Sequence, residues 1–168
     1  MTAAAMLARH ARAAVAIAAL LVAGCVTAPI KVGESHLNWV IVTYRPVKGD
    51  PCRINLVGTG YIDYIEGASP LVADDFSTDV SNVSWQDKYQ ERLGLQPSEV
   101  RTWLQRLVDA GLGQKLGKIP KERQGATDVV FVRGNIDFKK MACVTDDEKM
   151  IAVVRSLVRS VKSNGGRP

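Results

Sequence analysis

The sequence predicts an α+β domain: a two-layer sandwich in which two helices cover one face of an antiparallel sheet of about five or six strands. Runs rich in β-branched and aromatic residues alternate with glycine-containing turns, which is typical of antiparallel strands. Two other segments carry a single apolar stripe at helical spacing, so each needs a covering layer on one side only. The order along the chain is strands, helix, hairpin, helix.

The first predicted strands precede and follow a glycine turn. Residues 38–47 are rich in Val, Ile, Tyr and Trp, and residues 52–57 and 61–66 are two further β-prone runs. Gly58-Thr59-Gly60 separates the last two runs and fits a hairpin turn, because glycine tolerates positive φ. No helix follows these glycines, which favours a turn over a phosphate-binding loop.

The next segment is ambiguous. Residues 67–83 are polar and predict a long loop. Residues 84–93 fit a helical face through Trp85, Tyr89 and Leu93, and alternate only imperfectly as a strand would. A strand is narrowly favoured.

A helix is predicted from Pro97, which suits the first helical position, to a C-terminal cap at Gly111. Ser98 and Glu99 favour its first turn. Its apolar residues recur at three and four positions and form one stripe: Val100, Trp103, Leu104, Leu107 and Val108.

The predicted hairpin follows a basic loop at residues 113–126, which holds Lys115, Lys118, Lys121 and Arg123. Residues 127–133 and 136–144 predict its two strands, and Gly134-Asn135 predicts its two-residue turn. The basic loop is interpreted as solvated, with contact to anionic headgroups or an acidic partner as the alternative.

A second helix follows, with Asp146 or Asp147 as its N-cap. Three basic residues lie on one outward-facing side of this helix: Arg155, Arg159 and Lys162. They are interpreted as solvated, with contact to anionic headgroups or an acidic partner as the alternative. Its apolar stripe comprises Met150, Val153, Val154, Leu157, Val158 and Val161. Residues 163–168 predict a disordered tail.

Composition indicates one ordinary globular domain. The chain has 168 residues, of which 46% are hydrophobic and 23% charged. Its net charge is +5, and without Arg9 and Arg12 of the N-terminal segment the charge is about +3. That excess is too small to predict a nucleic-acid-binding protein, which concentrates basic residues on one face.

The N-terminus predicts an export signal. Arg9 and Arg12 lie in a basic region without acids, residues 13–23 are uninterrupted apolar residues, and Gly24-Cys25 ends the run. The apolar run is shorter than the roughly 20 residues of a membrane-spanning helix.

The stretch Leu21-Val22-Ala23-Gly24-Cys25 resembles the lipobox of bacterial lipoprotein precursors, with Val22 where leucine is most usual. The resemblance implies cleavage between Gly24 and Cys25 and lipidation of the Cys25 thiol, which anchors the chain to a membrane. It also implies a cell-envelope location, and Val26 favours the outer membrane, facing the periplasm, in a Gram-negative host. The alternative is an ordinary secretory signal that is cleaved after Ala28.

This resemblance divides the chain into a signal peptide at 1–24, a lipid-anchored tether at 25–37, a domain at 38–162 and the tail at 163–168. Lipidation of Cys25 leaves Cys52 and Cys143 as an even pair in an oxidising compartment. A disulfide between them would close a loop of about 90 residues, worth roughly 4–5 kcal/mol by chain entropy. The alternative is two separate buried thiols.

Catalytic and metal motifs are weak. The predicted mature part has one histidine, His36, and the cysteines lack the close spacing of a zinc site, so we expect neither a metal nor a cofactor. The acidic cluster of Asp74, Asp75 and Asp79 lacks the spacing of a calcium loop and is interpreted as a solvated loop.

The three tryptophans have two interpretations. Trp103 lies on a helical stripe and is assigned to the core. Trp39 and Trp85 are core residues in the favoured interpretation and exposed partner-binding anchors in the other.

These observations favour a non-catalytic lipoprotein that binds or scaffolds another envelope protein. The alternatives are an envelope hydrolase that uses the loop carboxylates, and a small-ligand or lipid-binding module. Residues 85–112 are similar to exported bacterial domains that have no assigned activity, so the similarity implies no catalytic residue.

Overall fold

The computed structural model describes residues 30–67, 87–114 and 126–168, with side chains described from residue 91 onward in the second segment. The predicted signal peptide and Cys25 lie outside the described residues. So do the acidic cluster of Asp74, Asp75 and Asp79, Trp85, and the basic residues from Lys115 to Arg123.

Six strands form one sheet in the described part of the chain. Neighbouring strands are all antiparallel, and their order across the sheet is β4-β3-β2-β1-β5-β6. This confirms the predicted α+β class, and it resolves the ambiguous segment as strand β4. The strands are β1 (Trp39–Arg45), β2 (Cys52–Val57), β3 (Tyr61–Gly67), β4 (Asp87–Gly94), β5 (Val129–Ile136) and β6 (Lys139–Thr145).

Two helices complete the fold of the described residues: α1 (Pro97–Asp109) and α2 (Glu148–Asn164). The Glu99 carboxylate accepts a hydrogen bond of 2.8 Å from the Gln96 backbone N–H, which closes the capping box of α1 with Pro97 at its first position. The Asp147 carboxylate caps α2 by accepting bonds from the backbone N–H groups of the first turn. Both predicted starts are confirmed.

The core lies between the helices and one face of the sheet. Strand residues that alternate along the chain are buried on that face, as period-two geometry requires. The whole predicted stripe of α1 is buried, and so is most of the α2 stripe. These side chains form a single cluster with the buried strand residues, for example Val40, Val42, Ile54, Leu56, Ile62 and Val132.

The predicted turn at Gly134-Asn135 is wrong. Both residues lie inside β5, and the turn is formed by Asp137 and Phe138, whose φ angles are 49° and 64°. Gly134 has another role: a Cβ there would overlap the Trp39 carbonyl oxygen and lie 2.6 Å from Val40 Cγ2. A glycine can therefore mark close packing between strands as well as a turn.

The predicted disordered tail at 163–168 is also wrong. Helix α2 continues to Asn164 and ends at Gly165, which has a left-handed backbone. The buried indole N–H of Trp103 donates a hydrogen bond of 2.7 Å to the Gly166 carbonyl oxygen. This bond fixes the tail to α1, so the last residues belong to the domain.

Candidate functional site

The segment before β1 lies against the domain. Val32 is only 7% exposed, and its backbone N–H donates a hydrogen bond of 2.8 Å to the Gln105 side-chain oxygen on α1. The Gln105 amide donates in turn to the Ile30 carbonyl oxygen at 2.9 Å. The predicted tether at 25–37 is therefore wrong for residues 30–37, which pack on the domain as an N-terminal arm.

Asn38 joins this arm to the β5–β6 turn. Its side-chain oxygen accepts a bond of 2.8 Å from the Asp137 backbone N–H, and its amide donates to the Gly33 carbonyl oxygen at 3.1 Å. The Asp137 carboxylate accepts from the Gly33 N–H at 2.8 Å. Because Asn38 is almost fully buried, these bonds fix the positions of the arm and the turn together.

A cleft of about 340 Å³ lies between the N-terminal arm and the start of α1. The arm contributes Glu34 and His36, the β2–β3 turn contributes Gly58, and α1 contributes Ser98 and Arg101. The Arg101 guanidinium forms an ion pair with Glu34 beside this space. The volume is within the range of small-molecule sites, and most of the side chains that line the cleft are polar or charged.

The face of the sheet turned away from the helices, here called the outer face, carries arginine and apolar side chains. In the β1 register Thr43 lies opposite Arg53 of β2 and Phe131 of β5, and Ile41 lies opposite Arg133. The central part of the outer face in these three strands is formed by Ile41, Thr43, Arg45, Arg53, Asn55, Phe131 and Arg133, and Trp39, Val57 and Asn135 continue it toward the β1 start.

The electrostatics of the outer face favour an anion. The Arg45 guanidinium lies 5.5 Å from the centre of the Phe131 ring. Burial lowers the pKa of Arg53, and the nearby positive charge of Arg133 lowers it further. Arg53, which burial and the charge of Arg133 disfavour in its charged form, is a favourable place for a carboxylate of a partner.

Two basic residues of α2 attach that helix to the sheet. The Arg155 guanidinium donates to the Tyr44 hydroxyl at 3.0 Å and to the Asp128 carboxylate at 2.5 Å. The Tyr44 hydroxyl and the Val47 N–H also donate to this carboxylate. About two helical turns further along, Lys162 pairs with Glu66 at 2.5 Å. Arg155 and Lys162 therefore have intramolecular partners, whereas Arg159 remains exposed.

Ionisation at these contacts follows their surroundings. Burial alone would raise the pKa of Asp128, but bonds from Tyr44, Val47 and Arg155 and the charge of Arg155 hold it below its usual value. Burial raises the pKa of Tyr44, and the Asp128 carboxylate raises it further. The contacts connect a negative carboxylate to a neutral phenol and a cation, which stabilises the fold.

The suggested Cys52–Cys143 disulfide is wrong, and the alternative of two separate buried thiols is confirmed. Cys52 is on β2 and Cys143 on β6, three strand positions apart in the sheet. Three spacings amount to about 14 Å, whereas bridged Cα atoms lie within about 7 Å. Burial raises the pKa of Cys52 to about 12 and that of Cys143 to about 11, so both are protonated at neutral pH.

The other sequence candidates are dispersed. His36 lies in the lining of the cleft, and Trp39 is partly exposed at the start of β1. Trp103 is in the core, as predicted. Over residues 30–67, 87–114 and 126–168, no three His, Cys, Asp or Glu side chains form a group that would hold a metal ion. None of the helices in these ranges has the length and apolar character needed to cross a membrane.

The sequence interpretation missed the outer-face arginines and the buried Asn38. The arginines had a signal in the sequence. Arg53 lies between Cys52 and Ile54, so the alternation of a strand places its side chain on the face opposite the core. Asn38 had none, because the partner that gives it its role, Asp137 on the β5–β6 turn, is 99 residues away.

No family model matches this chain, and neither a curated protein nor a solved structure matches it.

Proposed function

We propose that this chain is a lipid-anchored cell-envelope lipoprotein whose domain is a non-catalytic module for binding an acidic segment of another envelope protein. The lipobox-like stretch that ends at Cys25 supports the anchor. In a Gram-negative host the anchor lies in the outer membrane, with the domain in the periplasm. The observation that carries the binding function is the outer face of the sheet.

The outer face suits a protein segment because it combines charge with apolar area. Arg45 and Phe131 form a cation–aromatic pair, and Arg53 and Arg133 lie on either side of β1. Arginine and aromatic side chains provide most of the binding energy at many interfaces. Burial and, beyond it, the charge of Arg133 lower the pKa of Arg53, and an acidic partner would offset that positive charge.

The two described thiols are unsuited to nucleophilic catalysis. A cysteine nucleophile reacts as the thiolate, which needs a pKa near or below neutrality. Burial instead raises the pKa of Cys52 to about 12 and that of Cys143 to about 11. Both thiols lie among the core side chains and serve packing.

The experiment is site-specific photo-crosslinking in living cells that produce the full-length chain. A photoreactive amino acid replaces Asn55, which is at the centre of the outer face. The matched control places it at Ser156, an exposed position on α2. We expect a discrete protein adduct from position 55 only, and mass spectrometry should locate the crosslink beside Asp or Glu residues of the partner.

Charge removal tests the chemistry of the interaction. Arg53→Gln combined with Arg133→Gln should abolish the adduct at position 55, and circular dichroism of the purified variant should show a retained fold. Equal adducts from positions 55 and 156, or an adduct that survives the double substitution, would contradict the proposal.

The cleft supports a second candidate, a small-anion-binding module. Arg101 lies in the cleft lining beside the first turn of α1, and its partner Glu34 is 80% exposed, so the ion pair is easily exchanged. Thermal unfolding with millimolar phosphate, acetate or citrate tests this candidate. A rise in Tm on addition of the anion that disappears in Arg101→Gln would favour this candidate. The same Tm shift, or none, in the wild type and in Arg101→Gln would exclude it.

A further inference from the structure

Exposed apolar side chains concentrate at one end of the sheet. Five large apolar residues are exposed in the described ranges, and three of them lie at this end: Phe138 is 78% exposed, Leu37 61% and Trp39 37%. Of the other two, Ile30 begins the N-terminal arm and Val47 lies at the opposite end of β1. Leu37 and Trp39 flank Asn38, whose side chain bonds to the backbone of Asp137, next to Phe138. The three side chains, here called the apolar tip, therefore occupy one small region at the β1 start and the β5–β6 turn.

The backbone at Phe138 makes this exposure unusual. Its φ is 64°, in the left-handed region where glycine or asparagine is the ordinary residue of a two-residue hairpin turn. A bulky aromatic residue in this conformation is uncommon, and here it gains little burial in return. A strained and exposed aromatic side chain indicates a role outside the fold.

Lysines lie close to the apolar tip along the chain. Lys139 and Lys140 directly follow Phe138 and are exposed, and Lys31 is exposed on the N-terminal arm. Lys140 lies opposite Asn135, which in turn lies opposite Trp39, so Lys140 and Trp39 are on the same face. Aromatic residues with neighbouring lysines are typical of surfaces that insert into the headgroup region of an anionic bilayer.

The length of the chain before the described residues places this end near the membrane. From Cys25 to Ile30 the chain spans at most about 18 Å, and from Ile30 to Gly33 at most about 11 Å. A domain of this size is on the order of 35 Å across. Since Gly33 bonds to Asp137, a lipid on Cys25 holds the apolar tip within one domain diameter of the bilayer.

We propose that the apolar tip inserts into the headgroup region of the membrane that holds the lipid anchor, with Lys31, Lys139 and Lys140 against the lipid phosphates. This inference rests on the proposed lipidation of Cys25. It adds an orientation: the strand ends at Trp39 face the bilayer, and the opposite ends, near Val47, point away from it. The strands then run along the membrane normal, so the outer face of the sheet stands perpendicular to the bilayer surface and is accessible to a partner from the side.

The experiment measures tryptophan quenching in the lipidated full-length product. The protein is purified from a bacterial host, its lipid is verified by intact mass, and it is reconstituted in vesicles of phosphatidylethanolamine and phosphatidylglycerol. Half of the samples contain phospholipids brominated near the headgroup. The difference between the fluorescence of the wild type and that of Trp39→Phe gives the emission of Trp39. We expect brominated lipid to quench this emission strongly.

Two variants locate the contact. Leu37→Ser combined with Phe138→Asn should abolish the quenching of Trp39, whereas Val47→Ser should leave it unchanged, since Val47 is 51% exposed at the other end of β1. Circular dichroism verifies that each variant is folded. Lipidated protein with unquenched Trp39, or equal quenching in all variants, would overturn the docking. A mature product without lipid would instead refute the anchor itself.

Discussion

Asp128 is the side chain whose replacement tests the packing of α2 on the sheet most sharply. Its carboxylate is 11% exposed and accepts bonds from the Tyr44 hydroxyl, the Val47 N–H and the Arg155 guanidinium. Asp128→Asn keeps the size of the side chain, removes its charge and leaves a single acceptor oxygen. At least one of the three donors then loses its partner.

The expected cost follows from these contacts. A hydrogen bond to a charged group contributes about 1.5–3 kcal/mol. The ion pair adds less than about 1 kcal/mol, because Arg155 is 52% exposed and its charge is screened by solvent. We therefore expect Asp128→Asn to lower the free energy of unfolding by about 2–3 kcal/mol. The control is Asp63→Asn in the surface pair with Arg92, where the loss should stay below about 1 kcal/mol.

Urea unfolding of residues 26–168, followed by circular dichroism, measures both variants at pH 7. The pH dependence gives a second test. The folded-state pKa of Asp128 is below its ordinary value of 3.8, so its contribution is full above about pH 4 and is lost as the pH falls through the folded-state pKa. The difference between the wild type and Asp128→Asn should therefore shrink below about pH 4.

Two results would refute this reasoning. A loss in Asp128→Asn no larger than that in Asp63→Asn would show that the contacts with Tyr44, Val47 and Arg155 contribute little. A difference that grew in acid would show that the carboxylate is protonated in the folded state at neutral pH.

Three other predictions concern the core and the hairpin turn. Gly134→Ala should cost about 3 kcal/mol in urea unfolding, because its Cβ would overlap the Trp39 carbonyl oxygen; an unchanged midpoint would contradict the close packing. Phe138→Gly should raise the free energy of unfolding by about 0.5 kcal/mol, since glycine accepts the left-handed backbone; a loss would mean that the ring packs on the domain. Cys52 and Cys143 should resist Ellman's reagent at pH 8 until urea is added, and Tm should not change with reductant; a fall in Tm on reduction would indicate a bridge.

The sequence predicted what local patterns determine. The apolar stripe of α1, its start at Pro97 and the turn around Gly58 all depend on neighbours within a few residues, and each was confirmed. The order of elements was enough for the α+β class. The strand at 87–94 was the least certain of these, because its alternation is imperfect.

The errors came from contacts between distant residues. Gly134 was interpreted as a turn residue because its reason, the approach of Trp39 from β1, is 95 positions away in the chain. The last residues looked like a tail because their anchor is the indole of Trp103. The even number of cysteines that remains after lipidation of Cys25 suggested a disulfide between Cys52 and Cys143, yet the strand order places them three strands apart. The N-terminal arm and the apolar tip likewise depend on contacts between distant residues, Val32 with Gln105 and Asn38 with Asp137, which the sequence alone does not indicate.

The lipidation of Cys25 is the central claim, because both the proposed envelope role and the membrane orientation depend on it. Metabolic labelling with palmitate in a bacterial host, combined with intact mass of the mature protein, tests it directly. We predict a labelled protein that begins at a lipid-modified Cys25, and no label in Cys25→Ser. A mature protein that begins at Pro29, or a label that persists in Cys25→Ser, would contradict the account.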